Sequence, residues 1–156
     1  PLSILNSLIL CTSISYLYIN INFFSYSIIY NMKLLSEIIL PAFLLILIDY
    51  IYLNSISSFF NKQIFNIQKS PIKLRFSGAI ICYLFLIFGL YYFIISQNKK
   101  VFDAFILGLV IYGVYESTNY ALLKDWKFST LVIDTLWGGI LFGLTTYFTY
   151  KINKLM

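Results

Sequence analysis

The chain contains no histidine. That removes the commonest general base and the commonest metal ligand. Zinc hydrolysis, haem ligation and imidazole proton relays are poor fits from the start. Charge is the next scarcity: Asp, Glu, Lys and Arg make up 11% of 156 residues, against about 25% in a soluble domain. A soluble fold of this size would lack the polar surface to cover its core. Cysteine is scarce too. Cys11 and Cys82 both lie inside apolar runs, where they read as small buried hydrophobes and say nothing of the redox compartment. No basic stripe runs along any segment, so nucleic acid is not an expected partner despite the net charge of +5. No nucleophile motif, cofactor motif or metal-ligand set is apparent.

What is there is apolar. Hydrophobic residues make up 60% of the chain, and its mean hydropathy is +0.85. The lysines sit singly or in pairs at the ends of apolar runs, where cations anchor membrane segments against headgroups. Composition therefore predicts a multi-pass integral membrane protein whose partner is the lipid bilayer. At about 20 residues per span, the chain has room for four or five helices.

The expected fold is all-α, a polytopic integral membrane four-helix bundle. Four apolar stretches predict helices over about residues 34–56, 74–96, 101–123 and 128–150, in a domain covering 32–156. Residues 1–31 carry no charge, and Asn6, Asn20, Asn22 and Asn31 dilute their apolar character. They lack the basic start and small-residue cleavage site of a signal peptide. Two readings stand for them: an extra N-terminal membrane segment, or an extension upstream of Met32 that adds nothing to the bundle.

Punctuation along the bundle is sparse. Pro41 falls in the first third of the first helix, where membrane helices tolerate a kink. The connection 57–73 carries Lys62, Lys69 and Lys73 among Phe59, Phe60, Ile64, Phe65 and Ile67. That mixture suggests a short segment lying in the interface. Asp103, in the first turn of the third helix, suits a helix N-terminus. Gly139 and Gly143 form a GxxxG, which permits close helix contact.

Each predicted helix but the second carries one acid in apolar surroundings: Asp49, Glu116 and Asp134. Charge inside a bilayer costs about 2.5–3.5 kcal/mol on insertion scales, so such residues mark functional sites by default. Glu116 and Asp134 lie equally far from the turn at Asp125, so an antiparallel pair puts them at one depth. Counting about 1.5 Å per residue, Asp49 and Tyr83 also fall about 9–14 Å below that same membrane face. The economical arrangement is one polar site inside the bundle. Asn119 shares a helix face with Glu116, and Trp137 shares one with Asp134, both at i, i+3. Tyr52 lies at the same spacing from Asp49. Gly138, one turn after Asp134, lets a neighbouring helix or a substrate approach. The candidate site is thus Asp49, Tyr83, Glu116, Asn119, Asp134 and Trp137, with Gly138, Gly139 and Gly143 as packing positions.

Three carboxyls in low dielectric cannot all ionise unaided. No lysine or arginine sits at their depth, so the site either holds protons or binds a cation. The competing reading is a polar lock of interhelical hydrogen bonds, each worth only about 0.6 kcal/mol.

These residues resemble a known family, the small bacterial-type membrane proteins called domain of unknown function 2177. The resemblance covers about residues 32–151. It rests on Asp49 within Ile48-Asp49-Tyr50-Ile51-Tyr52-Leu53 and on Tyr83. It rests most on Tyr115-Glu116-Ser117-Thr118-Asn119, on Leu123 and Trp126, and on Asp134-Thr135-Leu136-Trp137-Gly138. The family pattern in the third helix looks like Tyr-Asp-Leu-Thr-Asn; here Glu116 replaces the Asp and Ser117 the Leu. The resemblance implies a four-helix membrane protein and no established activity.

Three function classes follow. One is proton, cation or small-substrate handling by the three acids, for which a homo-oligomer is the natural form of so small a bundle. Another is a membrane-embedded acid–base enzyme on a lipid-like substrate, with Tyr83 or Trp137 stabilising charge. The last is a structural or assembly subunit whose acids fix helix register. Lys62, Lys69, Lys73, Arg75, Lys124 and Lys127 flank the acid-proximal face, and Lys33, Lys99, Lys100, Lys151 and Lys154 the other. This slight excess favours a cytoplasm-facing site by the positive-inside rule.

Overall fold

A computed structural model describes residues 32–155. The two readings of residues 1–31 fall outside the described residues. The chain divides after Leu35, and the bundle belongs to the unit beginning at Ser36. Its elements are α1 (Leu40–Gln68), α2 (Phe76–Leu90), α3 (Val101–Leu122) and α4 (Phe128–Asn153). A π-wound stretch, Leu35–Ile39, leads into α1, and another, Tyr91–Ile95, closes α2. No strand occurs among the described residues.

Among the described residues, four continuous spans are long and apolar enough to cross a bilayer: Met32–Gln68, Phe76–Ile95, Val101–Leu122 and Phe128–Asn153. Their outer faces carry large apolar side chains that water would not tolerate in such number. Phe76, Phe85 and Leu122 are each more than 70% exposed. The protein is a multi-pass integral membrane protein, all-helical, as its composition predicts. Cys82 is exposed on this outer surface rather than buried, because most of α2 lies at the edge of the bundle.

The first helix does not stop near residue 56, and the expected interfacial segment is instead its continuation. Nothing between Ser57 and Gln68 breaks a helix, since neither Pro nor Gly occurs there. The end comes at Lys69, which turns left-handed (φ 55) while its N–H bonds the Phe65 carbonyl at 2.9 Å. Ser70-Pro71 then prevents any further turn. The extension is tied down by Gln63, 2% exposed, whose Oε1 accepts the Thr130 hydroxyl at 2.5 Å. At the start of α3, the Lys100 N–H donates to Asp103 Oδ2 at 3.0 Å, which satisfies an otherwise orphan amide.

α4 is the hub. It runs antiparallel to α3 on one side and to α1 on the other. The register with α1 can be followed end to end through Thr130–Gln63, Asp134–Tyr52, Trp137–Asp49 and Asn153–Ser36. The closest backbone approach is to α3, where a Cβ on Gly108 would strike the Gly138 carbonyl. A Cβ on Gly138 would in turn run into the Tyr112 ring. The Gly139–Gly143 pair is looser. Gly139 abuts the Phe105 ring, but a Cβ at Gly143 would meet only ordinary contacts of 3.7–4.0 Å. The tight seam is therefore Gly108 against Gly138, one residue off the GxxxG register. The core behind it is Leu45, Leu86, Leu90, Ile94, Ile95, Ala104, Leu141 and Phe142.

This seam sets a measurable order. Gly108→Val forces α3 and α4 apart and lowers unfolding stability by about 3 kcal/mol. Gly143→Ala stays within about 0.5 kcal/mol of wild type. Unfolding in mixed micelles compares the two; equal losses would show that the seam is not where the helices touch.

Candidate functional site

The three acids come together through aromatic side chains. Asp49 accepts two hydrogen bonds, from the Tyr83 hydroxyl to Oδ2 at 2.7 Å and from the Trp137 indole to Oδ1 at 2.9 Å. Asp134 Oδ1 accepts the Tyr52 hydroxyl at 2.6 Å. Glu116 Oε2 accepts the Trp126 indole at 2.8 Å. The Glu116 carboxyl also lies near the Asp134 side chain. Tyr52 and Trp137 lie face to face, with centroids 3.9 Å apart and planes 8° from parallel. That stack joins the Asp49 knot to the Asp134–Glu116 knot, so one network runs across all four helices and the α3–α4 turn.

Local folding explains each position. Asp134 and Trp137 face α1 because Gly138 and Gly139, beside them in sequence, turn toward α3. Glu116 sits two turns before the end of α3, so Trp126 in the short turn can fold back over it. The Trp126 N–H bonds the Leu123 carbonyl at 3.0 Å, which holds that turn tight. Glu116 is 1% exposed and Asp49 6%. Among the described residues, every hydrogen bond given to the three carboxyls comes from a neutral group, and no lysine or arginine takes part. Thr118 and Ser117, next to Glu116, turn away and bond their own helix at Val114 O and Gly113 O.

Five of the six sequence candidates are bonded into the network, Asp49, Tyr83 and Trp137 in one knot and Glu116 and Asp134 in the other; the sixth, Asn119, lies on the Glu116 helix with its buried Nδ2 unpartnered among the described residues. Spacing does not reveal the remaining members. Tyr52 shares a face with Asp49 in sequence, yet its hydroxyl serves Asp134 on the opposite helix. Trp126 lies in a turn, where no helical periodicity points to it. The buried Gln63–Thr130 bond falls where the sequence suggests a connection. An uninterrupted helical pattern through Asn61-Lys62-Gln63 is the one signal that could have found it.

A cleft of about 270 Å³ opens between α2 and α3, lined by Cys82, Leu86, Ile111, Tyr112 and Tyr115. None of the three acids lines it. Among the described residues no group of His, Cys, Asp and Glu side chains converges closely enough to hold a metal ion.

No curated protein and no solved structure shows a significant match to the chain. A family model does match, over residues 34–151, which include the whole network from Asp49 to Trp137. The chain belongs to the family described as predicted membrane protein, DUF2177.

Proposed function

We propose that this protein handles protons within the membrane, with Glu116 and Asp134 as the proton-holding pair and Asp49 as a neighbouring acceptor. One observation carries the reading: a Glu116 carboxyl 1% exposed, near the Asp134 side chain, with only neutral hydrogen-bond donors to either among the described residues. Two carboxyls close together in low dielectric resist ionising together, and a proton held by one can be shared with the other. Both Asp49 oxygens accept a hydrogen bond from a neutral donor, so Asp49 is the better-supplied acceptor of the three. A divalent cation seeks about six oxygen ligands. The described side chains offer no such convergence, so the donor set fits a proton better than a metal ion.

A second reading has its own support. Each carboxyl has at least one well-formed hydrogen bond, and the bonds join α1, α2 and α4 and tie the α3–α4 turn to α3. A purely structural lock would look the same at rest. An acid–base enzyme is the weaker reading, because the α2–α3 cleft stops short of the acids.

Infrared spectroscopy of the protein in lipid nanodiscs tests the proton-holding pair. At neutral pH the wild type shows a protonated carboxyl band that Glu116→Gln and Asp134→Asn each abolish and Asp49→Asn retains. A wild type with no such band sinks the pair.

Liposomes containing the protein and a pH-sensitive dye separate handling from locking. Proton flux falls to the protein-free level in Asp134→Asn, while circular dichroism shows the helices intact. The lock reading wins if the wild type carries no flux and Asp134→Asn loses about 1–3 kcal/mol of stability.

A further inference from the structure

The half of α4 remote from the acids is polar and closed. Thr145, Thr146 and Thr149 are each 0% exposed. The Thr149 hydroxyl donates to the Thr145 carbonyl at 2.8 Å, the usual recourse of a helical threonine. Thr145 and Thr146 do not take it. Their hydroxyls meet no partner among the described residues, and Asn153 Oδ1, at the same end, meets none either. A buried hydroxyl left dry is costly, and buried polar atoms without protein partners are normally satisfied by internal water. Opposite them, on α1, lies an irregularity. Following the α1–α4 register, Pro41 falls about level with Thr145. Pro41 is buried and has no amide hydrogen, and the helix leading into it is π-wound over Leu35–Ile39. Single π-wound turns within helices are frequent at functional sites.

Between this end and the acids lies an apolar layer. Leu45 on α1 and Leu141 and Phe142 on α4 are all 0% exposed and belong to one core cluster. Leu45 is one turn from Asp49, and Leu141 is two turns from Asp134. Along its length, the buried side of α4 thus reads Thr130 and Asp134, then Leu141 and Phe142, then Thr145, Thr149 and Asn153.

We infer that Thr145, Thr146 and Asn153 hold internal water, and that Leu45, Leu141 and Phe142 form an apolar plug separating that water from the acid network. The role rests on the proton reading: a proton held at Glu116 and Asp134 has polar ground on the far side of the plug and no wetted route to it at rest. Hydrophobic constrictions gate by excluding water, so the plug is where passage across the bundle is controlled.

The test uses the full chain in nanodiscs and reads water directly, so its outcome does not depend on flux. Magnetisation transfer from water reaches the Thr145 and Thr146 methyl groups and leaves the Leu45 and Leu141 methyl groups untouched. The double variant Thr145→Val with Thr146→Val keeps the shape, loses the water signal and lowers Tm by about 3 °C. An unchanged or higher Tm with no water signal in the wild type overturns the inference, because the hydroxyls are then dry. Water signal at Leu45 and Leu141 overturns the plug. In liposomes Phe142→Ala raises proton flux severalfold, with the carboxyl infrared band unchanged. Absence of that band in the wild type would count against the proton reading alone and leave the water result standing.

Discussion

A carboxyl group inside hydrocarbon needs hydrogen-bond donors that can themselves live there. Lysine and arginine supply charge but must first lose their own water, at a cost of several kcal/mol. In this bundle Asp49 and Asp134 are met instead by Tyr52, Tyr83 and Trp137. A phenol or indole has an apolar body and one polar tip, so the ring packs in the bundle while the tip reaches the acid. It also has few torsions to immobilise. The rest of the structure depends on this pairing. It draws α1, α2 and α4 together at one level with neutral donors alone.

The pairing requires α4 to sit between two partners at once. Small residues make that possible. Gly138 lets the α3 backbone approach at Gly108 on one side, while Trp137, the preceding residue, faces α1 on the other. In a bilayer, lipid tails remove the hydrophobic drive for helices to associate, so such close contact and interhelical hydrogen bonds must hold the bundle. The two devices occupy adjacent residues of α4. The acid network and the fold therefore share one short stretch, Asp134–Gly139, and a change there is felt by both.

The membrane class, the helical fold and the family are legible in the sequence, because charge scarcity and apolar run length are nearly sufficient for them. The common depth of Asp49, Glu116 and Asp134 is legible too, since the helical rise turns residue counts into distance. Rotation about each helix axis is not. Nothing in the spacing of Asp49 and Tyr52 says that the acid turns to Trp137 while the phenol crosses to Asp134. The choice belongs to α4, which presents both partners. Trp126 is invisible to periodicity because it acts from a turn. The tight seam at Gly108–Gly138 is hidden by a more conspicuous motif one residue away. The end of α1 is misjudged because Asn61, Lys62 and Gln63 look like a connection, whereas a polar helix held by Gln63 and Thr130 is equally compatible with them.

That longer α1 outreaches its neighbour α2. By the Asp49–Tyr83 level, α2 begins opposite residues near 56, so the last turns of α1 stand beyond it as an awning. They lean toward α4, where Lys127 lies 5.8 Å over the Phe59 ring and Gln63 grips Thr130. Gln63, Tyr52 and Asp49 all ride on one unbroken helix, so a tilt of that rod shifts the far grip on Thr130 and the contacts to Asp134 and Trp137 together.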